Sequence, residues 1–204
     1  RMLKDPRLAR FSREFLGQWL RYRDYIEKDP INGEAFPGYT EELRAAIFEE
    51  PTRLATWLIH EDRPVTELLT SDVTFVNEPL ANHYGGSIQK RYREMRVAKP
   101  HPWPLSRGER GAGAASPWLK VDGLAGEGRG GLIGMAIILT KNSAGERTSP
   151  VKRGFWAVHH LLGQHFPPPP ANVPELPKSE KEAPSTIRDL LAAHVADPKC
   201  AMCH

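Results

Sequence analysis

Hydrophobic residues recur at helical spacing along most of this chain. Leu8, Phe11, Phe15, Trp19, Tyr22 and Ile26 fall three or four residues apart, with Arg10, Arg13, Glu14, Arg21 and Asp24 on the other side. That spacing predicts an amphipathic helix over residues 6–27. Asp5-Pro6 supplies an N-cap and a proline at the first helical position. Pro30, Asn32-Gly33 and Phe36-Pro37-Gly38 close this region with turns. A second stripe, Leu43, Ile47, Leu54, Trp57 and Leu58, predicts a helix capped by Thr40, with Glu41 and Glu42 favourable at its positive end and Pro51 splitting or kinking it. Pro64 starts a short helix carrying Val65, Leu68 and Leu69. Asn77 caps another, with Leu80 and Tyr84 inward and Gly85 as its stop.

The periodicity fails over residues 98–118, AKPHPWPLSRGERGAGAASPW, where Pro, Gly, Arg and Ser dominate. That composition predicts a disordered insertion. Helical spacing returns with Leu132, Met135, Ala136 and Leu139. Ser149-Pro150 then opens a helix carrying Val151, Phe155, Val158 and Leu162, which Gly163 ends. Pro167 to Pro170 begin a stiff, proline-rich linker over 167–183. Ser185 or Thr186 caps a last helix with Ile187, Leu190, Leu191 and His194 on one face, and Pro198 stops it. The best strand signal is the alternation from Tyr92 to Val97. The expected fold is mainly α: short helices packed as an irregular bundle over residues 1–166, the linker, then a C-terminal helix leading into the start of a second module at 184–204.

That last helix leads to Cys200-Ala201-Met202-Cys203-His204, and the chain has only these two cysteines. This is the CxxCH arrangement of covalent c-type haem attachment, in which two thiols add across the haem vinyl groups and the next histidine ligates the iron. Cys200 and Cys203 are therefore the candidate attachment residues, His204 is the candidate proximal metal ligand, and haem c is the implied cofactor. Other readings of the pair are weaker. A redox disulfide wants a strand before it and a helix after it. A closed zinc site needs a fourth ligand, and there is no second cysteine pair. An uncommitted surface pair is the plain alternative. Thioether attachment follows export, so the motif implies a periplasmic or extracellular protein.

Length and composition exclude little. The 204 residues suit one or two domains, and 40% hydrophobic with 26% charged residues is ordinary globular usage. A net charge of +3 is too small to argue for nucleic acid or an anionic membrane. No apolar run has the length of a membrane span. The chain opens on Arg1 and closes on His204, which reads as a fragment of a longer exported protein, and no secretory signal is visible in it.

Several strings carry a family resemblance: RMLKDPRLARFSREFLGQWL, FPGYTEELRAA, LLTSDVTFVNEPLANHYGG, RGGLIGMAIILTKNSAGERTSPVKRGFWAVHHLLG, PPPPANVPEL and TIRDLLAAHVADPKCAMCH. Together they resemble the large cytochrome-like proteins of planctomycetes and related bacteria, in which domain of unknown function 1592 is followed by domain of unknown function 1588. The resemblance covers nearly all of the chain outside 98–118. It implies exported, modular proteins with c-type haem and a role in electron transfer. It departs at HYGGSIQKRYREM, where the family continues with an apolar residue after HYG, and the stretch that follows the haem motif in the family is not in this sequence.

Other side chains deserve weighing as sites. His83 in NHYG is either a distal iron ligand or a helix-end hydrogen-bonding group. His159 and His160 are adjacent on a helix, hence about 100° apart, and cannot both face one metal. His194 is a haem-edge contact or an interfacial histidine. Met202 lies inside the motif and cannot reach the far face of a haem, which leaves Met95 and Met135 as methionine candidates. Arg129 and Arg153 suit a haem propionate or a structural salt bridge. Lys90, Arg91, Arg93 and Arg96 with Tyr92 read as a solvated face rather than a nucleic-acid surface. No nucleophile constellation and no acid–base pair stands out. The sequence therefore points to an electron-transfer segment of a c-type cytochrome, with a redox protein or other modules of the same chain as partners. The alternatives are a non-catalytic helical scaffold and a haem peroxidase-type enzyme.

Overall fold

Helix α2 (Glu41–His60) is the axis on which the chain is assembled. From Glu50 to Leu58 every residue is buried, so this stretch is covered on all sides. The Thr40 hydroxyl accepts the Leu43 N–H at 3.2 Å, as the sequence predicts, and two glutamates sit in the first turn. The helix runs unbroken through Pro51. Proline withdraws one N–H from the ladder at a cost of ~3 kcal/mol, and burial of Leu54, Trp57 and Leu58 at ~1.5–3 kcal/mol each outweighs it. The computed structural model describes residues 2–28, 31, 33–98, 116–143, 145, 148–165 and 186–196. The expected linker at 167–183, the CxxCH motif and most of the expected insertion at 98–118 lie outside them.

Around α2 the chain places α1 (Leu8–Trp19), α3 (Glu67–Thr70), β1 (Val73–Val76), α4 (Glu78–Tyr84), α5 (Gly86–Ala98), β2 (Leu119–Asp122), α6 (Ala136–Lys141) and α7 (Pro150–Trp156). A π-helical turn, Ala157–Leu161, continues α7, and α8 spans Ile187–Ala196. The architecture is mainly α, as the periodicity predicts. Its one sheet among the described residues is the antiparallel pair β1–β2, in the register Val73↔Asp122 to Val76↔Leu119. Val76, Leu119 and Val121 are buried on one face of the pair, and Phe75 is buried on the other, with Trp57 tilted against it at 6.1 Å.

Local signals succeed at the caps. Asn77 Oδ1 accepts the Leu80 N–H, Ser149 Oγ accepts the Lys152 N–H, and Thr186 and Asp189 cap α8 reciprocally. Gly85 and Gly86, at φ +65° and +50°, let α4 turn straight into α5.

The structure departs from the sequence pattern at several places. The first helix stops at Trp19 instead of reaching residue 27, because Arg21 takes a left-handed conformation at φ +59°. Its aromatic stripe is not the face it buries. Ser12, Leu16, Gly17 and Leu20 are buried, while Phe11 and Phe15 are 55% and 51% exposed and stack on each other at 5.6 Å. In the same way α7 buries Trp156 and leaves Val151, Phe155 and Leu162 exposed. Tyr92 to Val97 is not a strand. It is the second half of α5, where Tyr92 alone is buried and Gln, Lys, Arg, Glu and Met are good helix formers. The end of the expected insertion is anchored too: Ser116 Oγ accepts the Glu78 N–H, and Tyr92 donates to the Pro117 carbonyl.

Candidate functional site

Cys200, Cys203 and His204 lie outside the described residues, and what the structure shows of their setting is α8, which ends at Ala196. His194 lies on that helix. The other candidate residues are described, and one cleft gathers two of them.

The cleft has a volume of about 1060 Å³. One wall is the 31–39 loop and the start of α2, the second is the outer side of α4, and the third is the C-terminal end of α6 with Arg153 of α7. A hydroxyl cluster fixes the distance between the first and third walls. Tyr25 and Tyr39 share a 2.5 Å hydrogen bond, and Tyr25 shares a 2.9 Å bond with Thr140. The lining is largely apolar, with Phe36, Pro37, Leu43, Pro79 and Leu139. Its ionisable side chains besides Tyr39 are His83 and Arg153, and no carboxylate lines it among the described residues. His83 occupies the last turn of α4, exposed on the cleft side. Its ring makes no hydrogen bond among the described residues, so the helix end is closed by the Gly85 N–H on the Ala81 carbonyl and not by imidazole. Partial burial, and then the Arg129 charge, lower its pKa. The Arg153 guanidinium donates to Thr148 Oγ1 at 2.6 Å.

Behind α4 lies a buried polar group that the sequence reading passed over. Glu50 is fully enclosed, and it accepts hydrogen bonds from Thr74 Oγ1 at 2.6 Å and from the Tyr84 hydroxyl at 2.5 Å. Tyr84 in turn accepts the Ala136 N–H at 3.0 Å. The Arg129 guanidinium covers the Tyr84 ring at 4.6 Å. Burial pushes the Glu50 carboxyl up to about 7, against the pull of Thr74, Tyr84 and the Arg129 charge. This network ties α2, β1, α4 and α6 together. The signal for it was present: Glu50 falls on the apolar stripe of α2, between Ile47 and Leu54.

The remaining candidates resolve as structure. Met135 is buried in the core, and Met95 is on α5, away from the cleft lining. Tyr92 is buried, Arg91 donates to the Asp122 and Gly123 carbonyls, and Arg96 pairs with Glu78 at 2.7 Å. The basic run thus braces α5 against β2 and α4. His159 stacks on Phe155 at 3.9 Å while His160 turns towards Trp156, so the two rings diverge as their adjacency requires. The indoles of Trp19 and Trp156 donate to the His160 and Leu20 carbonyls, both at 2.9 Å, which fastens the α7 region to the end of α1. Lys141 reaches the same Leu20 carbonyl, and burial lowers its pKa to about 8. Among the described residues no three His, Cys, Asp or Glu are grouped to hold a metal ion, and no helix is long and apolar enough to cross a membrane.

Two family models match this chain. Residues 1–85 match the one described as PSD4, protein of unknown function (DUF1592), and residues 129–204 match the one described as PSCyt3, protein of unknown function (DUF1588). They stand in the order that the resemblance implies, and the second match reaches back to Arg129, upstream of residue 184. No curated protein and no solved structure matches the chain. The two matched segments are interlocked by the Glu50–Tyr84–Ala136 hydrogen bonds and by Trp156 on Leu20.

Proposed function

We propose that this chain is the haem-bearing part of an exported c-type cytochrome-like protein and serves electron transfer. The observation that carries the reading is the donor set Cys200, Cys203, His204: the only two cysteines of the chain, spaced CxxC, with histidine next. Two thiols and an imidazole in that order fit covalent haem and leave no spare thiol for a second pairing. In this reading Cys200 and Cys203 hold the porphyrin through thioethers and His204 is the proximal ligand. The group supplies one-electron exchange when bound. The span of the second family match includes the motif, which supports treating it as an integral element of that module.

The helical body then acts as a platform. Its partners are a redox protein or other modules of the same full-length chain, in the periplasm or outside the cell. A non-catalytic scaffold is the second reading. It draws on the exposed Phe11–Phe15–Trp19 ladder of α1, an apolar face of the kind that marks interaction surfaces.

Intact mass spectrometry of the chain, exported in a host that matures c-type cytochromes, tests the assignment. The reading expects a mass increase of one haem that a Cys200→Ser, Cys203→Ser double variant lacks. An unmodified mass for the parent chain under those conditions would refute it.

A further inference from the structure

The cleft between the 31–39 loop, α4 and the end of α6 suits a ligand that is mostly apolar and bears carboxylate. Phe36, Pro37, Leu43 and Leu139 give it apolar walls, Arg153 gives it a guanidinium, and no carboxylate opposes that charge among the described lining residues. At about 1060 Å³ it stands at the top of the range of cofactor pockets, roughly 300–1,000 Å³. A tetrapyrrole with propionate groups has this description, and the chain carries the motif that would tether one.

We propose that this cleft seats the haem held by Cys200 and Cys203, with His83 as its second axial ligand and Arg153 as the partner of a propionate. The inference rests on the covalent-haem reading. Three observations on the cleft support it. His83 sits in it on a short helix fixed at both ends, by the Asn77 cap and by Gly85. Its ring is exposed there and makes no hydrogen bond among the described residues. Arg153 presents a planar donor fork steadied by Thr148 at 2.6 Å, the geometry that carboxylates take in pairs of hydrogen bonds. The alternative sixth ligands are badly placed: Met135 is sealed in the core and Met95 does not line the cleft. Reach is not limiting. The tether leaves from the end of the α7 region, the helix that also carries Arg153. The segment 166–186, ahead of α8, has a maximum reach of ~3.3 Å per residue.

The test uses the haem-loaded chain and its His83→Ala, His83→Met, Arg153→Ala and Arg153→Lys variants, read by electron paramagnetic resonance, visible spectra and redox titration. The proposal expects a low-spin, two-imidazole signal in the parent. His83→Ala should convert it to high-spin, and added imidazole should restore the low-spin form. His83→Met, which keeps a ligand and the helix, should give a histidine–methionine signature and a higher potential. Arg153→Ala should lower the potential, since a nearby positive charge favours the reduced iron, and Arg153→Lys should recover part of the change. A His83→Ala protein with full covalent haem and an unchanged low-spin spectrum would overturn the seat while leaving the cytochrome reading intact. Absence of covalent haem from the parent chain would overturn both.

Discussion

Glu50→Gln should change how the stability of this protein responds to pH more than it changes the stability at any one pH. Glu50 is completely buried, and burial pushes its carboxyl from 4.5 to about 7. At ~1.4 kcal/mol per pH unit, that rise corresponds to ~3 kcal/mol. The direction follows from linkage. Below the unfolded value of 4.5 both states hold the proton, and the group costs nothing. Between 4.5 and about 7 the folded chain keeps a proton that the unfolded chain has released, so stability falls as pH rises. Above that the loss is complete. Glutamine is neutral throughout and does not have this slope. Its amide also meets the Tyr84 hydroxyl, which already accepts from Ala136, so a fixed offset of ~1 kcal/mol is expected at every pH. Urea denaturation of both proteins from pH 4 to pH 8 separates the offset from the slope. The difference in unfolding free energy should move by ~3 kcal/mol in favour of the variant as pH rises. His83, His160 and Lys141, whose pKa values burial lowers, titrate in both proteins and cancel in the difference. Parallel curves would refute the reasoning and would mean that the folded chain solvates this carboxylate.

Two further substitutions test the packing. Phe15→Ser should shift stability by no more than ~0.5 kcal/mol, as for an exposed site, whereas Leu16→Ala, one residue on and buried, should cost ~2–5 kcal/mol; equal costs in thermal melts would contradict the observed orientation of α1. Gly131→Ala places a Cβ 2.1 Å from the Leu69 carbonyl at a φ of +56°, so the backbone must move. Calorimetry should show a loss of at least ~1–3 kcal/mol from backbone strain alone, and a melting temperature equal to the parent's would contradict the close approach of these two segments.

The sequence showed local chemistry more clearly than it showed direction. Thr40, Asn77 and Ser149 cap helices because a hydroxyl or amide three residues before an N–H is a local arrangement that needs no distant partner. The facing of α1 was not legible because that helix carries two candidate faces. Phe11, Phe15 and Trp19 form the more apolar one, yet the core takes the one holding Ser12, Leu16 and Gly17. Periodicity measures contrast between faces, and it does not say which face the rest of the chain covers. The β1–β2 pair was missed for a different reason: each strand has four residues, and its partner lies across the stretch 99–115. Glu50 could have been flagged as a charge on an apolar stripe, but its partners Thr74 and Tyr84 are 24 and 34 residues away. The CxxCH pattern is visible in five residues, while the cleft that unites His83 with Arg153 exists only once α4 and α7 are folded.

The account stands most directly on whether haem is bound to this chain through carbon–sulfur bonds. The measurement that decides it is a reduced pyridine haemochrome spectrum of the protein, exported in a host that matures c-type cytochromes, after acid–acetone extraction. Covalent attachment at Cys200 and Cys203 predicts that colour stays with the protein and shows the c-type band, and that the Cys200→Ser, Cys203→Ser variant is colourless. Haem that extracts into the acetone, or a colourless parent protein, would contradict the account.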